Sequence, residues 1–139
     1  MGRTAAITAL VLTVALIPAL SVRAQEPPIA SEIRQIAEDF GYDITVSVVN
    51  NRYTGMQDLF VTPAQAKTYE SAVFIHGVCA AVAQVTAASP SYQTFVDMVM
   101  IEVNGELWAV STANCRKAFR MNTVAAQKAQ LGRSLQRLR

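Results

Sequence analysis

The chain is predicted to fold as an α+β domain: a small antiparallel sheet, made of a hairpin plus one or two further strands, packed against a central apolar helix and two flanking helices. Three observations carry that prediction. Ser71 to Val96 contains no charged residue and reads as a buried helix followed by the start of a strand. Alternating runs on either side of Asn104-Gly105 read as a hairpin with a two-residue turn. Apolar residues recur at helical spacing near both ends of the remaining chain. The order is helix, strand, helix, strand, strand, helix, which packs as sheet under helices.

Residues 1–24 have the three parts of an export signal. Arg3 supplies the positive start, Thr4 to Ile17 an uncharged apolar core, and Pro18 breaks its helix. Val22-Arg23-Ala24 then presents small and medium residues to a signal peptidase, so cleavage is expected before Gln25. The short core and Pro18 argue against an uncleaved anchor. No cysteine follows the core, which excludes a bacterial lipoprotein anchor. The protein is therefore expected in the periplasm or outside the cell.

Residues 25–30 form an extended leader, because Pro27-Pro28 resists helix and sheet. A single domain is expected over 31–127, with 128–139 as the basic end of a C-terminal helix. Ser31 to Phe40 is the first helix: Ser31 caps it, Ile33, Ile36, Ala37 and Phe40 line one face, and Gly41 ends it. Asp43 to Val49 alternates Ile44, Val46 and Val48 with polar residues, which is a half-buried strand. Asn50-Asn51 is a turn, and Arg52 to Val61 reads as a loop or a second short strand.

Thr62-Pro63-Ala64-Gln65 has the form of a capping box with proline at the first helical position. The helix it opens is expected to run to Ala88 and stop at Ser89-Pro90. Its length and apolar character raise a transmembrane span, but alanine, glycine, glutamine, threonine and histidine dilute it and no basic flank orients it. A core helix is the better reading, with Gly77 and Ala81 admitting close neighbours. Thr94 to Ser111 is the hairpin, in a register that sets Val99 opposite Val110 and Ile101 opposite Trp108. A final helix is expected from Thr112 or Asn114 into the tail, with Val124, Leu131, Leu135 and Leu138 as its apolar stripe.

Cys79 and Cys115 are the only cysteines. In an oxidising compartment, two cysteines in a small domain pair, and this pair staples the last helix to the core. His76 lies one helical turn from Cys79, yet one histidine and two distant cysteines fall short of a structural metal site. Glu38, Asp39, Asp97 and Glu102 show no spacing that predicts paired-carboxylate catalysis. No phosphate loop or serine elbow is present. No catalytic residue, metal or cofactor is therefore assigned.

Charge gives the remaining signal. Without Arg3 and Arg23 the mature chain is neutral, but residues 25–115 carry a net −7 while residues 116–139 hold seven bases and no acid. Arg116, Lys117, Arg120, Lys128, Arg133, Arg137 and Arg139 are the candidate binding residues. They fit an outer helix of the domain, a docking element for a protein, or an anchor on an anionic membrane surface or polyanion. Phe119 is their only aromatic companion, so nucleic acid is not expected. The leading functional expectation is a small exported, non-enzymatic accessory protein acting through protein contacts. The alternatives are a membrane-surface or polyanion binder using the basic segment, and a small hydrolase or thiol enzyme built from residues distant in sequence.

Overall fold

The computed structural model describes residues 26–65 and 67–139; the expected export signal and cleavage site lie outside them. Apolar alternation along the chain builds a mixed sheet, and the uncharged helix lies across one face of it. The elements are α1 (Pro28–Asp39), β1 (Ile44–Asn50), β2 (Gln57–Pro63), α2 (Ser71–Ala88), α3 (Pro90–Phe95), β3 (Val96–Val103), β4 (Glu106–Ser111), α4 (Thr112–Phe119), α5 (Val124–Ser134) and β5 (Gln136–Arg137). The five strands lie in sequence order. β2 and β3 run parallel and every other neighbouring pair runs antiparallel. The predicted α+β class holds. The sheet is mixed because β2 and β3 are joined through α2, and a strand–helix–strand crossover returns the second strand in the same direction.

One sheet face supplies Leu59, Val61, Val99, Ile101 and Val110 to the core, where they meet Phe74, Val78 and Val82 of α2. Each of these large side chains is fully enclosed, which contributes about 1.5–3 kcal/mol apiece. By length and composition α2 is a candidate membrane span. Its buried residues instead join the same core as α1, α4 and the sheet. Small residues make that enclosure possible. Tyr42 lies so close over Gly77 that a Cβ there would overlap its ring, and Tyr69 and Phe74 flank that ring at centroid distances of 5.5 and 6.3 Å.

Several local expectations are corrected. α1 begins at Pro28, inside the segment read as an extended leader, and Ser31 donates to Pro27 O as part of the helix instead of capping it. Pro28 suits the first turn because the N–H it lacks has no helical partner there. Thr62-Pro63 belongs to β2, paired with Thr45 and Ile44, so α2 starts only at Ser71. Pro90 does stop α2, but it opens the short α3, and β3 starts at Val96. The turn at Asn104-Gly105 is as expected, with φ of +52° and +76° at its two residues. So is the register Val99–Val110 and Ile101–Trp108.

The single C-terminal helix is overturned. α4 ends at Phe119, Thr123 caps α5 by accepting from the Ala126 N–H, and the chain then turns into β5. The proposed apolar stripe therefore splits. Leu131 is buried and Leu135 packs against the core, while Val124 and Leu138 are 57% and 46% exposed.

Candidate interaction surfaces

Cys79 and Cys115 are joined in a disulfide, with Cα atoms 5.1 Å apart, that ties the middle of α2 to α4. Both are fully buried. A disulfide of this kind fits an oxidising compartment. It also leaves neither cysteine as a thiol, so the oxidised protein holds no thiolate beside His76 for it to activate. His76 instead packs its ring against Phe119, 5.0 Å between centroids.

The seven basic candidates do not converge. Arg137 and Arg139 lie along the β4 side of the sheet and pair with Glu106 at 3.6 Å and Glu102 at 2.7 Å. The Leu138 N–H donates to Leu107 O, and the Leu107 N–H donates to Arg139 O. The tail thus covers the β4 edge and lends it charge. Arg133 donates to Gln130 on its own helix. Lys117 and Lys128 are exposed on α4 and α5. Arg116 reaches inward to donate to Thr86 Oγ1 at 2.9 Å, and burial together with neighbouring Arg120 lowers its pKa. Arg116 and Arg120 line one concavity of about 420 Å³ between α2 and α4.

Among the carboxylates, Glu102 and Glu106 are the two ion-paired to the tail, and Asp58 accepts from Asn51 Nδ2 and the Met98 N–H. Glu38 pairs with Arg34 one turn earlier on α1. Among the described residues no three His, Cys, Asp or Glu side chains gather at one point.

The opposite edge of the sheet is built differently. β1 reads Ile-Thr-Val-Ser-Val-Val-Asn, with no charge and no proline. Its pairing with β2 can be phased from the bonds that flank it. The Ala64 N–H donates to Asp43 O and the Asn51 N–H to Met56 O, and both pairs continue the β1–β2 register. Odd-numbered residues of β1 therefore bond inward to β2, because bonded and non-bonded pairs alternate in an antiparallel ladder. The N–H and C=O of Ile44, Val46, Val48 and Asn50 point outward. Among the described residues, no backbone group bonds to them.

Beside this edge lies the sheet face away from the helices. It carries Val49, Phe60, Met98, Met100 and Leu107, none of which belongs to the core. Val49 is 53% exposed and the others are partly covered by one another. Reading Arg52 to Val61 as an undecided stretch hid this edge from the sequence. The signal was there in the alternation of Leu59 and Val61 with Asp58, Phe60 and Thr62. Comparison with family models, with curated proteins and with solved structures gave no match, so the function is argued from the geometry of this chain.

Proposed function

We propose that this is an exported, non-enzymatic accessory protein that acts through protein contacts, and that it takes its partner by strand addition at β1. The free edge of β1 is the observation that carries the reading. A row of outward N–H and C=O groups on a strand without charge or proline is a template for another extended chain. The two edges of the sheet differ in this respect. The β4 edge is occupied by the tail and flanked by Arg137 and Arg139, the devices by which sheets avoid association. β1 has neither device. The partly apolar face of Phe60, Met98 and Met100 adjoins it and offers side-chain contacts to whatever pairs there. Export is supported by the signal pattern of residues 1–24 and by the disulfide.

Proline scanning tests the proposal. Val46→Pro removes an outward N–H and leaves the β1–β2 ladder complete, since proline is tolerated where an edge strand faces outward. Val49→Pro removes an inward N–H and breaks the hairpin. The expected result is that Val46→Pro still folds, melting somewhat below the wild type because Val46 packs against the core, but well above Val49→Pro, and no longer captures the partner that the wild type draws from an extract of its own compartment. A Val46→Pro protein that retains every interaction refutes strand addition.

The alternative of a polyanion or anionic membrane surface has its best support at Arg116 and Arg120, whose shared concavity has no carboxylate in its lining. Binding of heparin or anionic vesicles that falls steeply with salt and with Arg116→Met would favour it.

A further inference from the structure

The two ends of the β1 edge differ in charge, and that difference identifies the strand that adds there. We propose that it is β1 of a second copy of this chain, antiparallel across a two-fold axis at Val48. This rests on strand addition at β1 and names the chain that adds.

Exposure and bonding phase set the axis. Ile44 is enclosed, so the accessible run of the edge is residues 46–50, and its middle residue is Val48. Val46, Val48 and Asn50 are the ones whose N–H and C=O point outward. An antiparallel copy centred at Val48 pairs that residue with its own image and Val46 with the partner's Asn50. Every outward N–H and C=O of the run then has a partner. Ser47 and Val49 fall opposite one another as non-bonded pairs on the outer face, where the 53% exposed Val49 is covered by the partner's Ser47. On the other face Val48 already packs against the core, and its image extends that packing across the axis. Close pairs of β-branched side chains suit this kind of contact.

Charge selects a second copy over another extended chain. At the Ile44 end, Asp43 precedes β1 and Asp39 closes α1. Both are exposed, and neither is ion-paired among the described residues. Arg34 lies within electrostatic reach of Asp43 but is committed to Glu26 and Glu38. Lys67 and Glu70, in the loop after β2, add one charge of each sign. At the Asn50 end stands Arg52, also exposed and also without an ion pair among the described residues. The start of α1 lies there too, since Pro28 and Asn50 line one concavity, and a helix N-terminus is a positive end. Asp58 of the same hairpin is taken up by Asn51 and the Met98 N–H. The edge is thus negative at one end and positive at the other. A two-fold axis sets each end against its opposite in the other copy, so the match is made twice.

The test is sedimentation equilibrium of the mature protein, with folding of each variant checked by circular dichroism. The wild type is expected to be a dimer. Val46→Pro removes one bond from each of two symmetric pairs and is expected to weaken the dimer by about tenfold or more. Asp43→Arg and Arg52→Asp are each expected to weaken it, and the two together to restore it. The register is read by oxidation of cysteine variants in the otherwise native strand. A mixture of Ser47→Cys and Val49→Cys is expected to give a covalent dimer, because opposed non-bonded residues stand about 4.5 Å apart. Either variant alone is expected to stay unlinked, because its two thiols sit on diagonal positions about 7–8 Å apart. The proposal is overturned by a protein that stays monomeric at millimolar concentration, by a dimer that Val46→Pro leaves intact, or by a double charge swap that restores nothing. A covalent dimer from either cysteine variant alone overturns it as well. A monomer that draws a different protein through β1 removes the second copy and leaves strand addition standing. A monomer whose Val46→Pro variant keeps every interaction removes both.

Discussion

Replacing both Cys79 and Cys115 with alanine tests how much of this fold rests on one covalent bond. The bond closes a loop between residues 36 apart. Loop-closure entropy for that length is about 4 kcal/mol of stability. Because both side chains are fully buried, the lost sulfurs leave a small void between α2 and α4 that adds to the deficit. Against a typical total of about 5–15 kcal/mol for a domain, this is a large share. For a domain of this size each kcal/mol moves the midpoint by about 4 °C, so a fall of roughly 15 °C is expected. The assay is thermal unfolding by circular dichroism, with the wild type run in reductant as a second route to the same state. The reduced wild type should melt well below the oxidised protein, and the double variant somewhat lower still, because it also carries the void. A double variant that melts within a few degrees of the wild type would refute the staple as a major source of stability.

Two further outcomes follow from contacts in the structure. Gly77→Ala improves helix propensity but places a methyl group against the Tyr42 ring, so it is expected to destabilise by about 1–2 kcal/mol as overpacking. In a Tyr42→Ala background the same substitution should become stabilising, and denaturant titration of the four proteins reads the change of sign. The ion pairs of Arg137 and Arg139 join exposed arginines to partly exposed carboxylates, so Arg137→Ser with Arg139→Ser should cost no more than about 1 kcal/mol per pair at low salt. That cost should fade in 1 M salt, measured by the same unfolding curves.

The parts of the fold that were legible in the sequence are those where local pattern and tertiary packing agree. Val99, Ile101, Trp108 and Val110 alternate about a turn whose asparagine and glycine both take positive φ, and the hairpin register followed directly. The uncharged run gave the core helix. Thr62-Pro63-Ala64-Gln65 failed because a capping box describes only what a helix start permits. The same residues extend a strand in which Leu59 and Val61 are already committed to the core, and the ladder with β1 runs on to Ile44–Pro63. Proline is tolerated at that position because its nitrogen faces β3 beyond the last β2–β3 pair, Val61–Ile101. Once β2 is lengthened in this way, α2 becomes a crossover and the parallel pairing follows. The break in the tail was visible as Thr123, a capping residue amid helix formers. β5 was not visible, since two residues carry no period and are held by pairing with Trp108 and Ala109.

The candidate sites were less legible for a related reason. The seven bases are conspicuous as a run in the sequence, but the chain turns twice between Phe119 and Gln136 and distributes them over three elements. Two of them, Arg137 and Arg139, offset acids of the body, as expected of an outer element of the domain. Two further unpartnered features carry no charge: the outward backbone of β1, and the ring nitrogens of His76 and Trp108. Neither leaves a compositional trace. The first depends on which neighbour a strand lacks, and the second on which acceptors the packing of several elements leaves out of reach. Residues 44–50 look like an ordinary half-buried strand until the order of the sheet places them at its edge. The register opposite Ile101 places Trp108 on the core face of the hairpin. In the fold it is only partly buried, while its indole N–H is enclosed with no acceptor among the described residues.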